Sequence, residues 1–177
     1  MLAVILMIEC WTGLPGMGKT YMMSAMALKR MKKGKRVFSN YNLDGAERFK
    51  ELSDLQNVSN ATILIDEAGI YLPAQAWRNI PFEFIRQIRQ HRHDGLDLWY
   101  TAQDMNDVAT YLRRITQFEH AVTRLWKFYY VRHYNPKNHK DRYGFDFGLF
   151  DFDNIGNSYN TRENIDFGEY LLKSLQK

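Results

Sequence analysis

The sequence predicts an α/β fold with three layers, in which helices cover both faces of a mainly parallel β-sheet. Short apolar segments alternate with helix-forming segments over the first 125 residues, which is typical of parallel strands joined by crossover helices. Residues 61–66 are almost continuously apolar, as expected for a strand buried on both faces. After residue 125 the chain is aromatic and helix-poor, and it predicts a C-terminal β-rich extension.

Composition excludes several classes of protein. A chain of 177 residues with one cysteine has no internal disulfide, and no His/Cys group has the spacing of a zinc site. No apolar run approaches the roughly 18–20 residues that span a bilayer. We therefore expect a soluble protein of a reducing compartment. The net charge of +4 permits an anionic partner without requiring one.

The predicted elements of the first half follow from apolar runs and breakers. The first strand is ended by Glu9 and Cys10, and Gly34 is a natural C-cap for the first helix. In order, these elements are a strand at 2–8, a helix at 20–33, a strand at 35–41, a short helix at about 46–52 and a strand at 61–66.

In the second half, Pro81 opens a helix that continues to about His91, with Phe82, Ile85 and Ile88 on its buried face. Asp104 is the predicted cap of a later helix. The remaining predicted elements are a strand at 96–102, a helix at 105–115, a strand at 120–123, and a hairpin of strands 128–131 and 143–150 connected near residues 135–136. We expect an ATPase-like core at 1–125 and an extension at 126–177 packed on it.

The glycine-rich loop after the first strand matches the phosphate-loop pattern G-x-x-x-x-G-K-[ST] at every position. Glycines let backbone N–H groups converge on phosphate oxygens, and the following helix N-terminus adds partial positive charge. This spacing predicts ATP as ligand, with Lys19 at the β- and γ-phosphates and the Thr20 hydroxyl on Mg²⁺. The predicted binding residues are Gly13, Leu14, Pro15, Gly16, Met17, Gly18, Lys19 and Thr20.

Two acidic residues follow the third predicted strand. Asp66 lies at its carboxyl end, where we expect it to hold the Mg²⁺ shell. Glu67, one residue further, is the candidate base that orients or deprotonates the attacking water. This pair favours an ATPase over a nucleoside kinase, whose acceptor takes the place of that water.

Gln103 follows the strand at 96–102 directly and is the candidate γ-phosphate sensor. Such a glutamine is typical of P-loop NTPases of the additional-strand type, in which its strand is inserted between the P-loop strand and the strand before Asp66. A helix-capping or loop role for Gln103 stays open.

Arginines that stabilise phosphoryl-transfer charge are harder to assign from sequence. Arg86, Arg89 and Arg92 repeat along one predicted helix, and Arg113-Arg114 end another. A neighbouring subunit often supplies such a guanidinium. Arg92 and Arg114 are our candidates, and they imply a homo-oligomeric ring, for which a hexamer is one option.

The combined pattern resembles the zonula occludens toxin-like (Zot-like) domain, the ATPase domain of filamentous-phage assembly proteins. The resemblance covers about residues 1–125 and rests on the loop at 13–20, the strand at 37–42, Leu64 to Ala68, and Arg92 to Asp104. The last stretch also resembles DNA-translocating ATPases of the FtsK/HerA type. Here Ala102 stands between Thr101 and Gln103, where Zot-like domains end the strand in Thr-Gln or nearly so.

The resemblance implies a motor in the host cytoplasm, or at the cytoplasmic face of the inner membrane, that drives extrusion of single-stranded phage DNA. It implies DNA or a DNA–protein complex as cargo, and coat or membrane proteins as assembly partners. Relatives usually carry a transmembrane helix after this domain, and whether one follows residue 177 in a longer protein stays open. Two alternatives also stay open: a genome-packaging ATPase, and a nucleotide-dependent switch or scaffold.

Overall fold

A computed structural model describes residues 6–75, 78, 80–151 and 155–160. Its strands are β1 (Ile8–Thr12), β2 (Arg36–Ser39), β3 (Asn42–Leu43), β4 (Glu47–Arg48), β5 (Ala61–Ile65), β6 (Asp97–Ala102), β7 (Phe118–Leu125), β8 (Phe128–Asn135), β9 (Asn138–Leu149) and β10 (Tyr159–Asn160). Its α-helices are α1 (Lys19–Met31), α2 (Ala68–Tyr71), α3 (Phe82–Arg89) and α4 (Thr110–Ile115). Short 3₁₀ turns lie at Leu52–Leu55, Met105–Asp107 and Gly156–Ser158.

Eight strands form one sheet in the order β4-β2-β5-β6-β1-β7-β8-β9. Pairing is parallel from β4 to β7 and antiparallel from β7 to β9. Because β6 pairs with both β1 and β5, it separates the strand before the glycine-rich loop from the strand before Asp66. The additional-strand arrangement predicted from the sequence is therefore confirmed.

Successive side chains of a strand point to opposite faces, so the central strands supply both cores of the molecule. On one face Trp11, Leu64 and Trp99 pack with Met23 and Ala27 of α1 in one buried cluster. Residues that alternate with them belong to a second cluster, which includes Phe84 and Ile88 of α3 and Leu112 of α4. The sheet therefore lies between two helical layers, as predicted.

The predicted first strand is wrong in its bounds. The strand begins at Ile8 and continues through Glu9 and Cys10 to Thr12, while residues 1–5 lie outside the described part. Glu9 and Thr12 are tolerated inside because each has a partner on β7: His120 lies 2.8 Å from Glu9, and Thr12 donates to Glu119 over 2.8 Å. An apolar run cannot show such long-range partners.

The predicted helix at 46–52 is replaced by β4 and the 3₁₀ turn at Leu52–Leu55. The carboxylate of Asp54 accepts hydrogen bonds from the N–H groups of Lys50 and Glu51, which favours a tight turn over a continuing helix.

The predicted helix at 105–115 is interrupted. Val108 bridges Pro73, and the N–H of Ala109 donates to the carbonyl of Leu72 over 2.8 Å. These backbone pairings leave the 3₁₀ turn at Met105–Asp107 and the shorter α4. Asp104 does cap the first turn, since it accepts from the N–H of Asn106.

The predicted buried face of α3 is also partly wrong. Phe82 opens the helix and is 70% exposed, whereas Phe84 is 1% exposed and takes the core position with Ile88. Phe82 is the first residue of α3, and at this end of the helix its side chain faces solvent.

The predicted C-terminal hairpin is present as β8 and β9, joined at Pro136 and Lys137. It continues the sheet from β7, and Val131 packs into the α1-side cluster. None of the helices in the described part of the chain is long and apolar enough to cross a membrane.

A polar chain links the hairpin to β1, buried at Glu9 and His120 and exposed at Asp146. His120 lies 2.8 Å from Glu9, His133 lies 2.7 Å from His120 through their Nδ1 atoms, and Asp146 lies 3.3 Å from His133. A carboxylate only accepts, so His120 donates from Nε2 to Glu9 and accepts at Nδ1 from His133.

Candidate nucleotide site

The glycine-rich loop lies between β1 and α1, at the carboxyl edge of the parallel strands. Gly13 has a φ of 145°, and a Cβ there would lie 2.5 Å from the carbonyl oxygen of Val122. Gly18 has a φ of 92°, and its Cβ would lie 2.7 Å from the ring of Phe150. Both positions therefore exclude a side chain, and the loop backbone packs directly against β7 and the segment after β9.

Lys19 is buried at the start of α1 and turns back across the loop. Its ammonium donates to the carbonyls of Gly13 and Leu14, over 2.9 and 3.3 Å. The positive charge thus lies inside the loop's own curve, where a polyphosphate would sit. Binding of phosphate oxygens exchanges these neutral partners for charged ones.

Asp66 is the centre of a compact hydrogen-bonded group. Its Oδ1 accepts from the hydroxyl of Thr20 over 2.8 Å and from that of Thr101 over 2.6 Å. Its backbone is held by Asn40, whose side-chain amide donates to the carbonyl of Asp66 and accepts from its N–H. Burial raises the pKa of Asp66, and the two hydroxyl hydrogen bonds oppose that shift.

Thr20 and Asp66 fit a magnesium ion by their chemistry. A hydroxyl and a carboxylate are hard oxygen donors, and Mg²⁺ in nucleotide sites takes a few protein oxygens and completes its shell with phosphate and water. Their hydrogen bond shows that the two side chains already meet at one point. Among the described residues, no group of three or more His, Cys, Asp or Glu side chains is arranged to hold a metal ion alone.

Glu67 lies directly after β5 in a left-handed backbone conformation, with φ 52° and ψ 55°. Its N–H donates to the hydroxyl of Thr101 over 2.9 Å, so Thr101 bonds both acidic residues. The pKa of Glu67 is raised, first by burial and then by the charge of Asp66. A raised pKa makes the carboxylate a stronger base toward water.

Glu67 and Gln103 line one cavity of about 330 Å³, together with Gly69, Gln75 and Asp107. Gln103 is exposed at the end of β6, and it also lines a larger cavity of about 960 Å³ that reaches Gly13 and Leu14. The structure therefore brings the candidate base, the candidate sensor and the start of the phosphate loop to one edge of the sheet.

The two candidate arginines differ in position. Arg114 is exposed and lines the larger cavity beside the loop of its own chain. Its neighbour Arg113 donates to Asn106 over 2.7 Å and to Thr110 over 2.9 Å. Arg92 is exposed in the turn after α3 and lines neither cavity.

Sequence reasoning missed three residues of this site: Thr101, Asn40 and Phe150. Thr101 is a hydroxyl inside an otherwise largely apolar buried strand two residues before Gln103, which is a usable signal for a buried polar role. Asn40 follows β2, and only the pairing of β2 with β5 brings it to Asp66. For Phe150, whose ring lies against Gly18, no local pattern predicts the contact.

Comparison with known proteins gives one family. The model of the zonular occludens toxin (Zot) family matches residues 46–146, more than half of the chain. No curated protein matches the chain.

Three solved structures share the fold at low identity. The N-terminal domain of zonular occludens toxin from Neisseria meningitidis has a TM-score of 0.64 at 18% identity, covering 88% of this chain and 100% of that one. The genome packaging NTPase B204 of Sulfolobus turreted icosahedral virus 2, in complex with sulfate, has a TM-score of 0.57 at 12% identity, covering 80% and 95%. The DNA-packaging ATPase B204 from Sulfolobus turreted icosahedral virus has a TM-score of 0.58 at 12% identity, covering 79% and 95%.

Proposed function

Since the chain belongs to the Zot family, we propose that it is a Mg²⁺-dependent ATPase motor that powers filamentous-phage assembly and extrusion of phage DNA. One observation carries the proposal: β6 lies between β1 and β5 and brings Gln103 to the edge where the phosphate loop and Glu67 meet. A similar protein, B204, has been solved with ATP-γ-S, which supports ATP as the ligand.

Binding begins with the exchange of partners at Lys19. Its ammonium leaves the carbonyls of Gly13 and Leu14 and pairs with β- and γ-phosphate oxygens, while loop N–H groups hold the rest of the polyphosphate. The hydroxyl of Thr20 and the carboxylate of Asp66 would hold the metal. When bound, Mg²⁺ neutralises charge that develops on the phosphate oxygens.

Hydrolysis needs a water held in line with the γ-phosphorus. Glu67 accepts a proton from that water as its oxygen bonds to phosphorus, and the bond to the β,γ-bridging oxygen breaks. Gln103, which lines the same cavity as Glu67, orients the water or donates to the γ-phosphate. The hydroxyl of Thr101 bonds both the carboxylate of Asp66 and the backbone N–H of Glu67, which fixes the position of the proposed metal ligand relative to the proposed base.

We propose further that the active form is a ring and that a neighbouring subunit supplies Arg92 or Arg114. Arg114 lines the cavity beside its own loop, so action on its own nucleotide is the competing arrangement. Mixing Glu67→Gln subunits with Arg92→Ala/Arg114→Ala subunits distinguishes an arginine supplied by the neighbouring subunit from one that acts on its own nucleotide. Each variant alone should be nearly inactive, and recovery in mixed rings supports a finger acting between subunits. No recovery in demonstrated mixed rings contradicts it.

The proposed cargo is single-stranded phage DNA or its protein complex, handed to coat or membrane partners on the cytoplasmic side of the membrane. The test is ATP turnover with single-stranded DNA, with double-stranded DNA and without DNA. We expect stimulation by single strands. Stimulation by duplex alone would favour the packaging alternative, and turnover indifferent to DNA would favour the switch.

The chemical assignment is tested by Glu67→Gln. Removing the base should lower turnover by about 10²–10⁴-fold, while ATP binding with Mg²⁺ is retained. Glu83→Gln makes the same change at an exposed position of α3 and is the matched control. Loss of ATP binding in Glu67→Gln, with turnover per bound ATP unchanged, would contradict the role of base.

A further inference from the structure

The outer strands carry an exposed surface that the nucleotide site does not use. We name it the aromatic face: Phe128, Tyr130 and Arg132 of β8 with Phe145, Phe147 and Leu149 of β9. The members are paired directly across the two strands, so they share one side of the sheet. Phe145 is 57% exposed and Phe147 64% exposed, and none of the six residues belongs to either buried cluster of the described chain.

The rings of the aromatic face are ordered. Phe128 and Phe147 stack with centroids 5.5 Å apart and an interplanar angle of 11°, and Tyr130 lies 5.7 Å from Phe145. Alternate residues of a strand are about 6.8 Å apart, so Phe145 and Phe147 present separate surfaces along the strand. Successive planar groups of an extended polymer can each meet one ring.

Positive charge lies on the aromatic face at Arg132 and beside the face at Arg142. The guanidinium of Arg142 lies 5.2 Å from the centre of the Phe145 ring, and that of Arg132 lies 5.8 Å from the centre of Tyr134. Neither arginine has a carboxylate partner among the described residues, and the side chains described on this side of β8 and β9 include no carboxylate. An anionic partner with planar groups complements such a surface.

The aromatic face leads toward the nucleotide site. The turn at Pro136 and Lys137, which joins β8 to β9, lines the same 960 Å³ cavity as Gln103 and Arg114. A polymer lying along the hairpin toward this turn would come to the cavity that borders the phosphate loop. Three cationic residues, Arg113, Arg114 and Lys137, line this cavity together with two acidic ones, Asp104 and Glu119.

We propose that the aromatic face binds single-stranded nucleic acid, with bases stacked on Phe145 and Phe147 and phosphates at Arg132 and Arg142. Stacking on aromatic side chains tolerates any base sequence, as a moving polymer requires. An anionic membrane also attracts aromatic and basic residues, but here Phe145 and Phe147 repeat along one strand beside arginines, which suits the alternating bases and phosphates of an extended strand. That the bound polymer is phage DNA rests on the proposed function.

The test measures fluorescence anisotropy of labelled oligothymidine with the full chain and no nucleotide. Phe145→Ala/Phe147→Ala should weaken binding at least about tenfold. Phe145→Leu/Phe147→Leu, which keeps apolar side chains without rings, should weaken it similarly. The matched control is Tyr143→Ala, an exposed aromatic of β9 that stacks on His133 instead, and it should change affinity by about twofold or less.

Salt dependence gives an independent readout. Arg142→Gln should reduce the slope of log affinity against log salt by about 0.7, the value for one phosphate contact to a single strand. Unchanged oligothymidine affinity in both double variants would overturn the proposal. Two other results would also overturn it, if the double variants keep the oligothymidine affinity of the parent chain. One is loss of binding to anionic phosphatidylserine vesicles, and the other is loss of self-association in sedimentation.

Turnover without DNA separates this proposal from the proposed function. Basal ATP hydrolysis of Phe145→Ala/Phe147→Ala should equal that of the parent chain, because neither ring lines the nucleotide cavities. If the chain binds oligothymidine as expected but hydrolyses no ATP, the motor proposal fails and the aromatic face stands. If the parent chain hydrolyses ATP but the Phe145/Phe147 double variants bind oligothymidine as the parent chain does, the aromatic-face proposal fails and the motor proposal stands.

Discussion

The parallel and antiparallel parts of the sheet are built differently. In the parallel part, every residue of β1, β5 and β6 is buried, because helices cover both faces. In the hairpin of β8 and β9, one side packs toward α1 through Val131, while the other side exposes Phe145 and Phe147. The parallel part positions the candidate nucleotide site, and the antiparallel part exposes an aromatic surface.

This difference shows what each part needs from its sequence. The buried strands are mostly apolar, and several of their polar residues are held by buried partners, as Thr101 is by Asp66 and Glu9 by His120. The hairpin needs apolar residues on one side only, so aromatic residues on its other side are free of the fold. An exposed group of aromatic residues of this kind marks a candidate interaction surface.

The largest effect is expected from truncation in the parallel part. Leu98 is 1% exposed in β6, and Leu98→Ala should lower the free energy of unfolding by about 2–5 kcal/mol through lost contacts and the cavity left behind. Chemical denaturation followed by circular dichroism measures it. A loss below about 1 kcal/mol would mean that the parallel part is not the stable half of the molecule.

Asp66→Asn sharpens the comparison at the polar end of the parallel part. The raised pKa of Asp66 means that burial disfavours its charge, so its contribution to stability falls as pH rises through the ordinary carboxyl range. An amide still accepts from Thr20 and Thr101 and carries no charge. We therefore expect an equal or higher Tm without nucleotide, together with ATP turnover reduced by at least about 10²-fold. A lower Tm would show that the negative charge itself stabilises the empty site.

The hairpin should respond to mild acid through His133. Burial and the neighbouring His120 lower the pKa of His133 below its ordinary value, with Asp146 and Glu9 opposing the shift. The unfolded chain then takes up the proton first, so stability is full above about pH 6.5 and falls as pH decreases. Denaturation midpoints of the parent chain and of His133→Gln across this range measure the effect. Parallel pH profiles for the two proteins would contradict it.

The smallest effect is expected on the aromatic face. Phe147→Ala should change the free energy of unfolding by no more than about 1 kcal/mol, because Phe147 is 64% exposed and loses mainly its stacking on Phe128 and its cross-strand pairing with Tyr130. The same denaturation measurement compares it with Leu98→Ala. A loss as large as that of Leu98→Ala would show that something covers this face in the folded chain.

Prediction from sequence succeeded where the information is local. The glycine-rich loop lies in one contiguous stretch, and the predicted strand before it and helix after it are both present. The hairpin follows from alternation in residues 143–150, which needs no knowledge of the rest of the chain. The position of β6 was inferred from a resemblance, since a strand that ends in a residue such as Gln103 is inserted at this place in P-loop NTPases of the additional-strand type.

The rest depends on contacts between distant segments. Glu9 is inside the first strand because His120 is available on β7, and a window of neighbouring residues contains no sign of it. The break before α4 arises from backbone pairing of Val108 and Ala109 with Leu72 and Pro73. Asn40 reaches Asp66 only once β2 and β5 are paired. Such features need the topology before they can be seen.

The left-handed backbone at Glu67 has a consequence for how this protein can change over generations. A residue with a side chain is disfavoured in that conformation by about 1 kcal/mol or more, and glycine or asparagine would adopt it more readily. Selection for heat resistance alone should therefore draw position 67 toward those residues and remove the proposed base. A library screened first for thermal survival and then sequenced at this codon would reveal whether the carboxylate is lost when activity is not selected.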